Sequence, residues 1–155
     1  MAITFKHKSN RPDAFNVRAN VFMVEQGFSY DFDQLDDNDG VIHITAYDED
    51  AVEKPIGTAR IFPSALEWQY PRYLDISDQA WVVGRIAVLK DSRHLGLGSK
   101  ILTEAERLAK ENGASEMHLH AQVRAMPFYK KLGYEEYGGY EDDEGVEHQW
   151  MRKRL

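Results

Sequence analysis

Trp81-Val82-Val83-Gly84-Arg85-Ile86-Ala87-Val88-Leu89 is a nearly continuous apolar run with a central glycine. Such a run suits a strand buried on both faces, and Gly84 there marks a bulge or a close backbone approach. Arg93-His94-Leu95-Gly96-Leu97-Gly98 comes next, and Leu97, Ile101, Leu102, Ala105, Leu108 and Ala109 then recur at helical spacing until Gly113. A buried strand therefore leads through a basic, glycine-spaced loop into an amphipathic helix. The first N–H groups of that helix lack intrahelical acceptors and sit at the positive end of its dipole, where an anion is favoured. Gly96 and Gly98 carry no Cβ, so a phosphate can approach the backbone, and Arg93, His94, Ser99 and Lys100 add side-chain donors. A Walker loop needs four residues between its glycine and Gly-Lys, which this loop does not have. A Rossmann fingerprint would need a third glycine or alanine where Ile101 stands.

On the N-terminal side, Ile3 and Phe5 alternate with polar neighbours and predict a short strand. Asn10 before Arg11-Pro12-Asp13 predicts a helix start with a side-chain cap. Ala14, Val17, Val21 and Val24, widened by Phe15 and Phe22, predict its buried stripe, and Gly27 its stop. Residues 41–47 and 56–62 read as an antiparallel hairpin. Residues 63–78, with Trp68, Tyr70, Pro71 and Tyr73, are irregular and suit either a loop or a short helix. On the C-terminal side, 117–121 reads as a strand and 125–132 as a short helix with Pro127 in its first turn. Residues 134–137 and 146–152 predict two last strands across a turn rich in glycine and acid. The order β-α-ββ-β-α-β-α-ββ, without repeat or linker, points to one α/β domain over 1–155 with a mixed sheet flanked by helices.

Bulk composition narrows the function. With 155 residues, 43% hydrophobic and 29% charged, the chain can build one real core and a solvated surface. The absence of cysteine excludes disulfides and thiolate metal sites and permits a reducing compartment. No apolar stretch approaches the ~20 residues that a membrane span needs, and the first residues do not read as a signal peptide. A formal net charge of -7 argues against sequence-independent nucleic-acid binding and is compatible with a cationic substrate. The acid is clustered at Asp31, Asp33, Asp36, Asp37 and Asp39, and again at Glu141, Asp142, Asp143, Glu144 and Glu147. Each cluster reads either as a solvated loop or as an acidic rim that attracts an amine.

The form Arg-x-x-Gly-x-Gly between a buried strand and an amphipathic helix resembles the coenzyme A motif of GNAT acetyltransferases. Downstream, Ala125-Met126-Pro127-Phe128-Tyr129-Lys130-Lys131-Leu132-Gly133-Tyr134 is similar to that family's Phe-Tyr-x-x-x-Gly-Phe/Tyr segment. Residues 21–27, 33–36, His43, 57–60, 120–122 and 145–148 further resemble the ElaA-like branch. The resemblance implies the GNAT fold: α/β (α+β), one mixed, mostly antiparallel sheet of six to seven strands flanked by about four helices. It also implies a cytoplasmic N-acetyltransferase that uses acetyl-CoA as cosubstrate and passes the acetyl group to a primary amine by direct attack in a ternary complex. No metal, membrane or nucleic-acid partner is expected, and a homodimer is among the assemblies left open.

By the same resemblance, a strand bulge at Arg85, Ile86, Ala87 and Val88 would pair its backbone with the pantetheine arm and supply an oxyanion donor. Arg93, His94, Leu95, Gly96, Leu97, Gly98 and Ser99 would hold the pyrophosphate. Tyr129 would contact the coenzyme and protonate the departing thiolate. Three residues qualify as the base: Glu25 at the end of the first helix, then His148 on a late strand, then His120. His118 and His120, at i and i+2 of a strand, share a face, but two imidazoles fall short of the three or four ligands of a zinc site. With no cysteine, an acetyl-cysteine intermediate is excluded. Two rival functions share these residues. A non-catalytic coenzyme sensor would bind acetyl-CoA without transfer, and an interaction module would dock a basic partner on the acidic segments with salt-sensitive affinity.

Overall fold

The computed structural model describes residues 2–50, 54–67, 79–143 and 145–155, and for residues 94 and 95 the backbone course alone. Strands Ile3–Lys6 (β1), Ile42–Asp48 (β2), Pro55–Pro63 (β3) and Ala80–Val88 (β4) pair in succession, each antiparallel to the last. Glu116–Gln122 (β5) then lies parallel to β4, Val146–Arg154 (β7) pairs antiparallel with β5, and Glu135–Asp143 (β6) closes the far edge. Among the described residues the result is one seven-stranded mixed sheet, within the six to seven strands expected, and its order is β1-β2-β3-β4-β5-β7-β6. Its α-helices, among the described residues, are three rather than about four: Arg11–Arg18 (α1), Leu97–Glu111 (α2) and Met126–Lys131 (α3). The irregular stretch with Trp68, Tyr70 and Tyr73 lies outside the described residues.

Alternation along β2 and β3 divides two chemistries. Ile44, Ala46, Ala59 and Ile61 turn to α2 and join its buried stripe of Leu97, Ile101, Leu102, Ala105 and Leu108 in the main core. Gly57 lets α2 come close, because a Cβ there would lie 2.5 Å from Ile101 Cδ1. The alternate residues His43, Thr45, Thr58 and Arg60 are equally buried but polar, and they face the α1 side.

On that side the structure corrects three expectations. Asn10 does not cap α1 with its side chain. Its amide instead donates to Lys6 O (3.0 Å), His43 O (2.7 Å) and Thr45 Oγ1 (3.0 Å), fastening the helix start to β1 and β2. The buried stripe holds for Ala14, Val17 and Val21, but Val24 is 78% exposed. The cause is a change of helix type: Ala19–Glu25 continues α1 as a π-helix, and Gln26 N bonds back to Val21 O (3.0 Å). Wider turns break the three-four spacing and rotate Val24 outward.

The first acidic cluster divides: Asp37 and Asp39 are solvated, but Asp31, Asp33 and Asp36 form neither a solvated loop nor an open rim. Arg18, 1% exposed, donates from Nε to Asp31 Oδ2 (2.7 Å) and from its terminal nitrogens to Asp36 (2.7 and 3.0 Å). Arg60 bridges Asp36 Oδ1 (3.0 Å) and both oxygens of Asp33 (2.6 and 2.7 Å). Desolvation works against charge on Asp36, but the hydrogen bonds from Arg18 and the Asp33 backbone and the pull of both guanidinium groups outweigh it, holding the carboxyl far below the usual range. The second cluster does fit the solvated reading, since Glu141, Asp142, Asp143 and Glu147 are exposed. β6 outruns the expected 134–137 because the strand continues through a bulge, with residues 137–139 standing opposite Trp150.

Removing one member of a buried ion cluster leaves its partners uncompensated. Arg18→Ala is expected to lose about 3–5 kcal/mol in urea unfolding, because Asp31 and Asp36 stay buried. The depressed carboxyls of Asp33 and Asp36 stabilise the fold fully above their unfolded value near 3.8. Stability should therefore fall as pH drops below that value, and Asp36→Asn should flatten the fall.

Candidate active site

Strands β4 and β5 begin side by side and then part. Their pairing covers Ala80–Glu116, Trp81–Met117 and Val82–His118 and goes no further. From Val83 and Leu119 onward, no strand joins the two facing edges among the described residues, so backbone N–H and C=O groups line a wedge. On its other edge β4 is distorted. Thr58 faces Ala87 and Arg60 faces Gly84, so Arg85 and Ile86 stand opposite Ala59 alone. This is a β-bulge, one residue beyond Gly84, and Arg85 adopts it with φ 49. Positive φ is uncommon without glycine. Here the side chain holds the backbone: Arg85 Nε donates to Asp31 Oδ1 (2.9 Å), and Nη2 reaches Asp31 O (3.0 Å) and Asp33 Oδ2 (3.3 Å).

At the wide end of the wedge stands the glycine loop. Gly96 takes the left-handed conformation, φ 68, and is the hinge between a 3-10 turn (Lys90–Leu95) and α2. The first backbone bond of α2 runs from Lys100 N to Gly96 O (3.3 Å), so the N–H groups of residues 97–99 lie ahead of the helical ladder. Wedge and loop share one cavity of about 610 Å³. Ile86, Ala87, Val88, Arg93, Gly96, Gly98, Ser99, Tyr129 and His148 all line it, so most of the site expected from sequence converges there. Leu97 is not part of the lining, and its side chain is buried in the core. The side chains of His94 and Leu95 lie outside the described residues. A Cβ on Gly98 would meet Phe128 Cζ at 3.3 Å, so α3 presses on the same turn.

Tyr129 reaches the cavity from α3. Burial pushes its phenol up to about 12, so it keeps its proton across neutral pH. His148 faces the cavity from β7, and its Nδ1 lies 2.9 Å from Val146 O. A carbonyl only accepts, so Nδ1 carries the hydrogen, and a neutral ring then keeps its lone pair on Nε2. His120 stacks between His148 (centroids 4.9 Å) and Trp150 (4.8 Å). Burial and the neighbouring His148 lower its pKa to about 4. Among the described residues no group of three or more metal-ligating side chains occurs, and His118 is engaged elsewhere, 2.6 Å from the Tyr137 hydroxyl.

Glu25 stands apart. It ends the π-helix and borders a second cavity of about 520 Å³ with Gln122, Arg124 and Glu147. Its carboxylate takes both terminal nitrogens of Arg93, one at 2.5 Å, while Arg93 Nε donates to Val88 O (3.0 Å). That hydrogen bond holds the Glu25 carboxyl below its usual range. Sequence reasoning missed the part that the Arg85 side chain plays in the wall and the link between Gln122 and Gln26. Arg85 and Asp33 line the cavity, as does Tyr30, and Gln122 Nε2 donates to Gln26 Oε1 (2.9 Å) across the wedge. Only Arg85 left a sequence trace, as a charge inside an otherwise apolar strand.

Known proteins share this architecture. The acetyltransferase (GNAT) family model matches residues 11–134. An uncharacterised N-acetyltransferase of Bacillus subtilis, YjcF, is 36% identical over 155 residues, covering 98% of both chains. Among solved structures, Escherichia coli ElaA superposes with a TM-score of 0.77 at 21% identity, covering 99% of both chains. An acyl-CoA N-acyltransferase of Pseudomonas aeruginosa gives 0.79 at 22%, covering 98% of both. The last two are likenesses of fold. The family model and the Bacillus relative, together with the wedge and the glycine turn, place this chain in the GNAT family of acetyltransferases.

Proposed function

We propose that this acetyltransferase moves an acetyl group from acetyl-CoA to a primary amine by direct transfer between the two substrates in one cavity. The observation that carries the reading is the wedge between β4 and β5, which opens onto the backbone N–H groups of residues 97–99. An extended amide-bearing arm suits the unpaired edge of β4 around Ile86–Val88, and a pyrophosphate suits the turn at Gly96 and the start of α2. The thioester supplies an activated acyl carbon. In the transfer a C–N bond forms, the C–S bond breaks, the amine loses a proton and the sulfur gains one.

The chain's own groups match those proton movements. Tyr129 holds a proton at Oη throughout the neutral range and so can give it to the departing sulfur. His148 offers Nε2 as the acceptor of the amine's proton, directly or through water, because Nδ1–H is committed to Val146 O. Its neighbour His120 stays uncharged, so a proton on His148 meets no second cation in the stack. Glu25 is less suited to the task, being ion-paired and held in its charged, weakly basic form by Arg93. A backbone N–H of the β4 edge near the bulge is the oxyanion donor in this scheme.

Calorimetric titration with acetyl-CoA tests the reading. Saturable binding by the wild type, lost in a folded Gly98→Glu variant, is expected; wild type that does not bind would sink it. Phe128 is on the surface and can give way to the new Cβ, while the added carboxylate opposes a phosphate on the turn. Tyr129→Phe should lower kcat by about 10²-fold or more if the phenol is the acid. A variant with full kcat would remove it from that role. His148→Gln should lower kcat if that ring is the base, and should raise the His120 pKa from about 4 only by the part His148 contributes, since burial, the larger cause, remains; NMR of the His120 ring reads it. An unmoved His120 titration would mean that the two rings do not share charge.

A further inference from the structure

We propose that Glu25 acts as an internal rival of the coenzyme: its carboxylate and a coenzyme phosphate compete for the guanidinium of Arg93. The inference rests on the acetyl-CoA reading above and concerns a residue that binds through another rather than touching the reacting atoms.

Four observations support the exchange. Arg93 borders the large cavity with Gly96, Gly98 and Ser99, whereas Glu25 borders the smaller one, so the guanidinium stands in the wall between them. Its donors are largely spoken for, with Nε on Val88 O and both terminal nitrogens on Glu25. The pair is also open to solvent, with side chains 40% and 33% exposed, so it can part without burying a lone charge. A carboxylate that leaves Arg93 stays in the field of two further cations, Lys90 and Arg124.

The sign of the effect follows from comparing two contributions. Glu25 fixes the geometry of Arg93, but an exposed ion pair contributes little as preorganisation. Against that, its carboxylate occupies both terminal nitrogens of Arg93 and cancels most of the attraction that guanidinium would exert on a phosphate. Occupation of the guanidinium therefore outweighs preorganisation, and Glu25 weakens coenzyme binding. Breaking the pair also frees the end of the π-helix from the glycine loop, so coenzyme binding loosens a tie between the two sides of the cleft.

The test is acetyl-CoA titration of wild type, Glu25→Gln, Arg93→Ala and the double variant. All changes are at exposed positions, so folding is retained. Glu25→Gln should bind about 3–10-fold more tightly, the gain should shrink as salt rises, and Glu25→Gln in the Arg93→Ala background should gain nothing. Unchanged or weaker binding by Glu25→Gln, beside normal wild-type binding, overturns the inference and leaves the coenzyme reading standing. A gain that survives without Arg93 overturns it too. Wild type that fails to bind at all overturns the coenzyme reading itself.

Discussion

Arg18, Arg60 and Arg85 meet Asp31, Asp33 and Asp36 where α1, the acidic segment, β3 and the β4 bulge converge. Three charges of each sign cancel. A buried guanidinium without carboxylates would be prohibitive, and buried carboxylates without guanidinium groups would take up protons. The cluster therefore acts as a positioning device. Left-handed backbone at a non-glycine residue costs ~1–3 kcal/mol, and it persists only where the surroundings over-determine it. Arg85 is such a residue, tied through its side chain to Asp31 and Asp33. The bulge that bends β4 away from β5 thus has its anchor in a loop that sequence alone reads as solvent-facing.

The opposite end of the cleft is built by simpler means. A strand runs out, one glycine reverses the chain, and a helix begins with its N–H groups aimed outward. Apolar packing of α2 against β2 and β3 holds that helix in place, helped by the missing Cβ at Gly57. One half of the cleft depends on buried charge and the other on close packing, so the two respond differently to acid, salt and mutation.

What was legible in the sequence was local. Arg93 to Gly98 and Phe128 to Tyr134 carry their meaning through their resemblance to family motifs, and the helical period of Leu97 to Ala109 decides the element that follows the loop. What was illegible depends on partners far along the chain. Asn10 reads as a cap until His43 and Thr45 arrive to take its amide. Arg18 sits in an apolar stripe and looks like its polar edge until Asp31 and Asp36 fold over it. Glu25 reads as a candidate base, and nothing within a helix turn of it announces Arg93, 68 positions on. The π-turn escaped for another reason: its backbone pattern leaves the residue types of an ordinary amphipathic helix in place, and only the exposure of Val24 betrays it.

The parting of β4 from β5 also divides the polypeptide in its own order. Strands up to residue 88 all lie on one side of the three shared pairs, and strands from residue 116 all lie on the other, with no crossing in either direction. The chain can thus be viewed as two consecutive antiparallel modules, stitched at a short seam and spliced by α2. A break in the peptide near that splice would leave each fragment with its own complete ladder of hydrogen bonds. Reassembly of the two would then be an association across the cleft, which makes the cleft a natural place to divide the molecule into complementing halves.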